Sequence, residues 1–303
     1  MSETQDERLA AIWNEHRRYV LDVAYRMLGS VADAEDVVQE TFTRLVSADL
    51  DAIEDVRGWL VVVATRLCLD QLRSARVKRE SYVGPWLPEP VIEPADAQLD
   101  PADRVTLDDS VRMAMLVVLE RLTPAERAAF VLHDVFRFSF EDVARIVGRT
   151  TEASRQLASR ARKRIEEETG PARFEVDREE VGRIADRFIE ASTNGDFRAL
   201  MDVLDPDVAG WTDTGGVVGA PRAAVSGREA VASRFLRFLE AFRARLSPMQ
   251  VNGEPGVLVF QEDRLLAVIA FETRAGRITR IHSIANPQKI AYVASMLGAA
   301  PSA

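Results

Sequence analysis

The sequence predicts two all-α domains, the second carrying a helix-turn-helix, followed by a C-terminal α+β domain. Three observations predict it. Residues 139–165 read as two helices separated by Gly148. A proline-rich stretch over residues 81–103 separates helical sequence on its two sides. Beyond Gly170-Pro171 the apolar residues change from helical spacing to short β-branched runs.

The first domain, residues 6–80, reads as consecutive helices. Leu9, Ile12 and Trp13 share one helical face, and Val20, Val23, Ala24 and Met27 another. Gly29-Ser30 breaks the pattern before an acidic helix from Asp33 to Val46. A polar loop, Ser47 to Val56, leads to a helix from Arg57 to Arg79 that is apolar at first and basic at its end. In the segment 81–103, Pro85, Pro88, Pro90, Pro94 and Pro101 block helix and strand alike, so it reads as a semi-rigid linker. Trp86 and Leu87 are out of place there. Exposing either costs roughly 2 kcal/mol or more, so both are expected to dock, with the third domain the nearest surface.

The second domain, residues 104–168, contains Thr123-Pro124-Ala125-Glu126, a capping box with proline at the first helical position. Its helix runs through Ala128, Phe130, Val131 and Val135 into the helix-turn-helix. The third domain, residues 175–290, starts with an amphipathic helix holding Val181, Ile184, Ala185, Phe188 and Ile189. A shorter helix around Leu200, Met201 and Leu204 follows, and after Gly227 another runs through Ala230 to Phe242. Val257–Gln261, Leu265–Glu272 and Ile278–Ile284, separated by Glu262-Asp263 and Ala275-Gly276, read as antiparallel strands.

The net charge is −9, which argues against a strong free-standing nucleic-acid binder. The cations are nevertheless clustered: Arg66, Arg73, Arg76, Lys78 and Arg79 form one group, and Arg149 to Arg164 another. Local field governs docking, so salt-sensitive DNA affinity that needs help from a partner is expected. Cys68 is the only cysteine, which excludes an internal disulfide and disfavours a cysteine metal site. The acidic N-terminus lacks the apolar core of a secretory signal, and no stretch is apolar enough to span a membrane. A cytoplasmic protein without a cofactor is expected.

Within the helix-turn-helix, Ser139 is the expected N-cap, with Asp142 three residues on. Val143, Ala144, Ile146 and Val147 give the first helix an apolar face, and Gly148 ends it. In the second helix Ala153, Leu157, Ala161 and Ile165 are expected to form the buried stripe. Glu152, Arg155, Ser159, Arg162 and Lys163 are left outside, the basic and hydroxyl face that major-groove docking needs.

In the acidic helix Val37, Val38, Thr41, Phe42 and Leu45 can face a core, leaving Asp33, Asp36, Gln39 and Glu40 outside. Before it stand Tyr19-Val20 and Ala24-Tyr25-Arg26-Met27-Leu28-Gly29. After it stand Arg57-Gly58-Trp59-Leu60 and Ala64-Thr65-Arg66-Leu67-Cys68-Leu69-Asp70-Gln71-Leu72-Arg73, and later Leu122-Thr123-Pro124-Ala125-Glu126-Arg127. With the helix-turn-helix, this order over residues 6–167 resembles the extracytoplasmic-function (ECF) branch of bacterial sigma-70-type sigma factors.

The resemblance implies partners and roles. Asp33, Glu35, Asp36, Gln39 and Glu40 would bind the β′ clamp helices of the RNA polymerase core. Trp59, Thr65, Arg66, Asp70, Arg73 and Arg76 would face the minus-10 element of promoter DNA. The loop Ser47 to Asp55 would capture a base flipped from the non-template strand. Thr151, Glu152, Arg155, Gln156, Ser159, Arg160, Arg162 and Lys163 would read the minus-35 element. Ser154 departs from the family, which carries a small apolar residue there. If buried, its hydroxyl must bond to a backbone carbonyl.

The third domain resembles the SnoaL-like fold, a cone-shaped α+β domain with an internal pocket, which one ECF subgroup carries. Three short motifs of that subgroup match: Trp86-Leu87-Pro88-Glu89-Pro90, Asp213-Thr214-Gly215-Gly216-Val217 and Asn286-Pro287-Gln288-Lys289-Ile290. The second is a loose match, ending in Val217 where lysine is typical. Trp86, Leu87, Pro88, Asp213, Gly215, Gly216, Asn286 and Pro287 are the expected regulatory contacts. Through them the domain would regulate the factor in cis, with an unidentified small ligand in the pocket as a further partner. Free-standing SnoaL-like proteins include enzymes that use Asp and His, which makes Asp207, Asp213 and His282 the residues to weigh for catalysis. No nucleophile–base spacing or metal-ligand set accompanies them. The competing readings are a helix-turn-helix regulator with a ligand-binding domain and a SnoaL-type enzyme with a DNA-binding appendage. The acidic helix and the block Arg57 to Arg79 speak against the first, since an ordinary regulator needs neither.

Overall fold

The computed structural model describes residues 3–80, 84–92, 106, 111–169, 178–216 and 223–301. These residues cluster into two compact units, each discontinuous in sequence. Residues 3–80, 106 and 118–169 form the helical unit. Residues 84–92, 111–117, 178–216 and 223–301 form the α+β unit.

The helical unit starts with α1 (Glu3–Leu28), α2 (Val31–Val46) and α3 (Val56–Glu80). Gly29 takes a left-handed φ of 69°, and the Ser30 hydroxyl accepts the Asp33 N–H to cap α2. Ala34, Val37, Val38, Thr41, Phe42 and Leu45 of α2 are buried, the face its periodicity predicts. On α3, Leu60, Val61, Ala64, Cys68 and Leu69 complete this core. Burial pushes the Cys68 thiol far above its ordinary range, against a smaller opposing pull from Arg127.

The later part of the unit holds α5 (Pro124–Phe130), a π-helical turn (Val131–Val135), α6 (Phe140–Val147) and α7 (Thr151–Thr169). It follows α4 (Met113–Leu119), which the unit boundary divides. The expected capping box at Thr123 and Glu126 forms, with Pro124 at the helix start.

Two buried arginines join these helices to α1. Arg127, 2% exposed, donates Nε to the Arg26 carbonyl at 3.1 Å and pairs with Glu120 at 2.7 Å. Arg26, 1% exposed, donates to the carbonyls of Asp22 and Thr106, both at 3.0 Å. The Asp22 carboxylate accepts the Thr106 N–H at 2.6 Å and its hydroxyl as well. Phe136 packs edge-on to Tyr19 and beneath the Arg26 guanidinium. Neither guanidinium could be buried without these carbonyls and carboxylates, because an unpaired internal charge costs several kcal/mol.

The α+β unit is built on a mixed sheet of β1 (Leu204–Asp213), β2 (Val225–Ser226), β3 (Arg245–Val251), β4 (Glu254–Gln261), β5 (Arg264–Arg274), β6 (Arg277–Ile284) and β7 (Ala300–Pro301). The order is β2-β1-β6-β5-β4-β3, with β7 beside β5. The three expected strands are β4, β5 and β6, joined by two-residue turns with Glu262 and Ala275 at positive φ. β3 adds an antiparallel edge, and β1 pairs parallel to β6 with Gly210 opposite Ile281 and Asp213 opposite Ile284.

One sheet face is covered by α8 (Arg178–Thr193), α9 (Phe197–Val203) and α10 (Arg228–Phe242) around Phe188, Leu200, Val231, Ile269 and Phe271. The other is covered by α11 (Pro287–Met296), Met113 of α4, and Leu87 and Ile92 of the proline-rich segment. The segment is therefore more than a spacer where it is described. Leu87 to Ile92 are all buried. Val91 and Asn252 exchange two hydrogen bonds, at 2.7 and 3.3 Å, and Ile92 forms a β-bridge with Val251. Pro94 and Pro101 lie outside the described residues.

Two outcomes follow from the helical core. Under native conditions Cys68 will resist iodoacetamide at neutral pH and will react stoichiometrically once the chain is unfolded in urea. Fast native labelling would mean that the core is not closed over it. Arg127→Ala removes the partner cation of a buried carboxylate and should destabilise the helical unit by about 3–5 kcal/mol in denaturant unfolding; a loss under 1 kcal/mol would contradict the buried-pair description.

Candidate functional site

The helix-turn-helix forms as α6 and α7. Ser139 caps α6 by accepting the Asp142 N–H at 3.1 Å, and Gly148 ends it in the left-handed region at φ 69°. The buried stripe of α7 keeps Ala161 and Ile165 as expected, but its first half is displaced by one residue. Ser154, Ala158, Ala161 and Ile165 are buried, whereas Ala153 and Leu157 are only half-buried. The displacement is permitted because the Ser154 hydroxyl donates to the Thr150 carbonyl at 3.1 Å, so a serine can sit at 0% exposure. Glu152, Arg155, Gln156, Ser159, Arg160, Arg162 and Lys163 remain exposed, and Thr151 is half-buried. Several of these cations are held. Arg162 pairs with Asp134 at 2.7 Å, and Arg155 lies 3.5 Å from Glu141 and over the Phe140 ring.

On α2, Asp33, Asp36, Gln39 and Glu40 are exposed along one row, with Glu35 half-buried beside it. On α3, Arg66, Asp70 and Arg73 are exposed and Trp59 is half-buried. Asp70 and Arg73 pair at 3.0 Å. Thr65 is a correction: its side chain is fully buried, so it faces the helical core rather than a DNA-accessible surface. The Arg76 side chain lies outside the described residues. In the loop before α3, Asp49 caps a 3-10 turn (Leu50–Ala52), buried Leu50 anchors it, and Asp51 pairs with Arg8 at 2.8 Å.

In the α+β unit the three short motifs meet at one buried cation. Lys289, 4% exposed, places its ammonium 2.7 Å from Asp213 Oδ2 and 2.5 Å from the Leu87 carbonyl. The same ammonium stands 3.2 Å from the centroid of the Trp86 ring. Asp213, wholly buried, accepts the Leu87 N–H on Oδ2 at 2.9 Å and the Gly215 N–H on Oδ1 at 3.1 Å. Gly215 sits at φ 72°, and a Cβ there would lie 2.9 Å from Asn286 Oδ1. That amide oxygen is already the N-cap of α11, accepting the Gln288 N–H, with Pro287 as first helical residue. Trp86, Leu87, Asp213, Gly215, Asn286 and Pro287 thus come together, with Pro88 buried beside Leu87 and Gly216 next in the loop at φ 84°.

Lys289, which joins them, is absent from the residues chosen on sequence. Its signal was present: it is the one charge in the ten-residue helix PQKIAYVASM.

The same strands enclose a cavity of about 610 Å³ on their other face, between the sheet and α10. Gly210, Trp211, Thr212 and Thr214 line it, whereas Asp213 does not and turns instead to Leu87 and Lys289. Ile281 and Ser283 line it, whereas His282 between them does not. His282 is buried and bonds through Nε2 to Glu272 at 2.9 Å, with Arg280 on the other carboxylate oxygen at 3.2 Å. Asp207 is exposed, its N–H turned onto Asp205. None of the three residues weighed for catalysis lines the cavity.

The buried pair also predicts a stability pattern. Lys289→Met alone leaves the Asp213 carboxylate without its cation and should cost the α+β unit about 3–5 kcal/mol in denaturant unfolding. Lys289→Met with Asp213→Asn should recover part of that loss. A single variant within 1 kcal/mol of wild type would contradict the geometry.

Two family models match the chain: sigma-70 region 2 over residues 12–77 and sigma-70 region 4 over residues 112–165. The chain is 41% identical over 298 residues to the probable ECF RNA polymerase sigma factor SigI of Mycobacterium tuberculosis, covering 97% of this chain and 99% of that protein. It is 40% identical over 288 residues to the ECF RNA polymerase sigma factor SigJ of the same species, covering 90% of each. The crystal structure of SigJ superposes with a TM-score of 0.74 at 36% identity, over 93% of this chain and 98% of that one. With both conserved sigma regions and full-length relatives that continue through the third domain, the chain belongs to the ECF RNA polymerase sigma factor family.

Proposed function

We propose that this chain binds core RNA polymerase through α2, opens the promoter at the minus-10 element with α3 and its preceding loop, and reads the minus-35 element with α7. The observation that carries this reading is an exposed acidic row and two exposed cationic helix faces on one folded unit. Asp33, Glu35, Asp36, Gln39 and Glu40 supply the contact to the β′ clamp helices. Trp59, Arg66, Asp70, Arg73 and Arg76 face opened DNA, and the loop 47–55 holds a flipped base, offsetting an unstacking cost of a few kcal/mol. Thr151, Glu152, Arg155, Gln156, Ser159, Arg160, Arg162 and Lys163 face the upstream duplex. Tethering two weak DNA-binding faces to one polymerase raises their effective concentration, consistent with a net charge of −9. The protein acts in the cytoplasm, without catalysis of its own.

The same reading requires the helical unit to open. Elements centred at minus 35 and minus 10 lie about 25 base pairs apart, roughly 85 Å at 3.4 Å per step. A compact body of this size has a radius of gyration of about 15 Å. The Arg26–Arg127 and Phe136–Tyr19 contacts therefore belong to a closed form. The third domain regulates in cis by holding the proline-rich segment, through Trp86, Leu87, Pro88, Asp213, Gly215, Gly216, Asn286 and Pro287 together with Lys289.

Run-off transcription with purified core polymerase and a matched promoter tests both halves. Asp36→Lys with Glu40→Lys should abolish core binding while leaving the fold intact by circular dichroism; undiminished core binding would overturn the assignment of α2. Trp86→Ala should change transcript yield by at least about fivefold, the lower range of allosteric coupling. Unchanged yield would refute regulation through this segment.

A further inference from the structure

The cavity between α10 and the sheet lies on the sheet face opposite the latch that Lys289 and Asp213 form with Leu87. It is a concave feature able to hold a small molecule. Its wall is apolar: Val231, Phe235 and Phe238 from α10 face Val259, Ile269 and Ile281 from the sheet. Its size falls within the range of small-molecule sites, about 300–1,000 Å³. At its edge stands Phe242, 44% exposed, a large apolar side chain with no structural reason to face water.

Charge at the site has one sign. Arg234 and Arg237, three residues apart on α10, both line the cavity and are exposed. Among the described residues neither takes part in an ion pair, and no carboxylate or imidazole lines the cavity. The other polar groups on side chains there are the hydroxyls of Thr212, Thr214 and Ser283 and the indole N–H of Trp211. Such a site offers hydroxyls and guanidiniums but no general base or nucleophile partner, which suits retention of a ligand rather than its turnover.

We propose that this cavity binds an amphipathic monoanion, a molecule with an apolar body and one carboxylate, of which a medium-chain fatty acid is the simplest member. The apolar body lies between α10 and the sheet. The carboxylate meets the guanidiniums of Arg234 and Arg237 at the mouth, a charge-assisted contact that an alcohol or an ammonium head cannot make. The site is coupled to the latch by shared backbone. Thr212 and Thr214 face the ligand while Asp213 between them grips Leu87 and Lys289, and Pro287 lines the cavity while Asn286 caps α11. The binding half of the proposal stands alone; the coupling half rests on the regulatory reading of the proline-rich segment.

Isothermal titration of the full-length protein with sodium decanoate, decan-1-ol and decyltrimethylammonium tests the binding half. Decanoate should bind tightest and the ammonium weakest. Arg234→Ala with Arg237→Ala should weaken decanoate about tenfold, the size of one charge-assisted hydrogen bond, and leave decan-1-ol within about twofold. Ser283→Phe, which fills the cavity from a half-buried position, should remove binding of all three. No decanoate binding, equal binding of anion and cation, or decanoate binding unaffected by the arginine pair each overturns the site. The arginine pair decides the matter even if Ser283→Phe fails to fold. For the coupling half, saturating decanoate should alter amide exchange over residues 84–92. Binding with unchanged exchange there would overturn the coupling and leave the site standing.

Discussion

A buried ammonium can persist only where other groups replace its water, and Lys289 has among its partners the Asp213 carboxylate, the Leu87 carbonyl and the face of Trp86. These partners come from three distant stretches of the chain. Removing any one leaves a charge or a peptide group uncompensated in the interior, so the arrangement is satisfied as a whole or fails as a whole. Gly215 is required because Asn286 fills the space a side chain would need, and Asn286 is required because it starts the helix that carries Lys289. The three short motifs are thus one physical object.

That object gives the mixed sheet two jobs. Along β1 and β6 alternate residues serve opposite faces, one packed with the proline-rich segment and α11, the other open onto the cavity below α10. A displacement of either strand is felt on both faces, because the interior is close-packed and transmits strain. The placement of Asp213 and His282 follows from the same alternation: both belong to the face that holds the segment, and His282 is tied to Glu272 there.

Much of this was legible in the sequence, where local chemistry decides. Ser139, Gly148 and the capping box at Thr123 mark helix ends through hydrogen bonds between near neighbours, and the apolar face of α2 follows from periodicity alone. What was not legible depends on long-range packing. The first half of the α7 stripe is shifted by one residue because Ser154 satisfies its own hydroxyl within the helix and behaves as a small core residue, whereas Ala161 and Ile165 are buried as periodicity predicts. Thr65 looked like a polar contact but its helix turns it inward. The strands β1 and β3 lack clean alternation, and the parallel β1–β6 pairing joins segments some 70 residues apart. Trp86 and Leu87 announced by their chemistry that they dock, but only the fold names Lys289 as the group they dock upon.

The helical unit poses the complementary constraint. Two buried guanidiniums hold its helices together, and the proposed reading of promoter elements about 85 Å apart requires that they part. The α+β unit holds residues 87–92, a stretch that in sequence lies between the sigma-70 region 2 and region 4 segments. The central claim, that the Lys289–Asp213 pair fixes this stretch to the α+β unit, is tested most directly by hydrogen–deuterium exchange at the Leu87 and Val91 amides. The account predicts exchange in the wild type as slow as in the neighbouring strands, and fast exchange at both amides in Lys289→Met with β4 and β5 still protected. Exchange at peptide-like rates in the wild type, or no change in the variant, would contradict it.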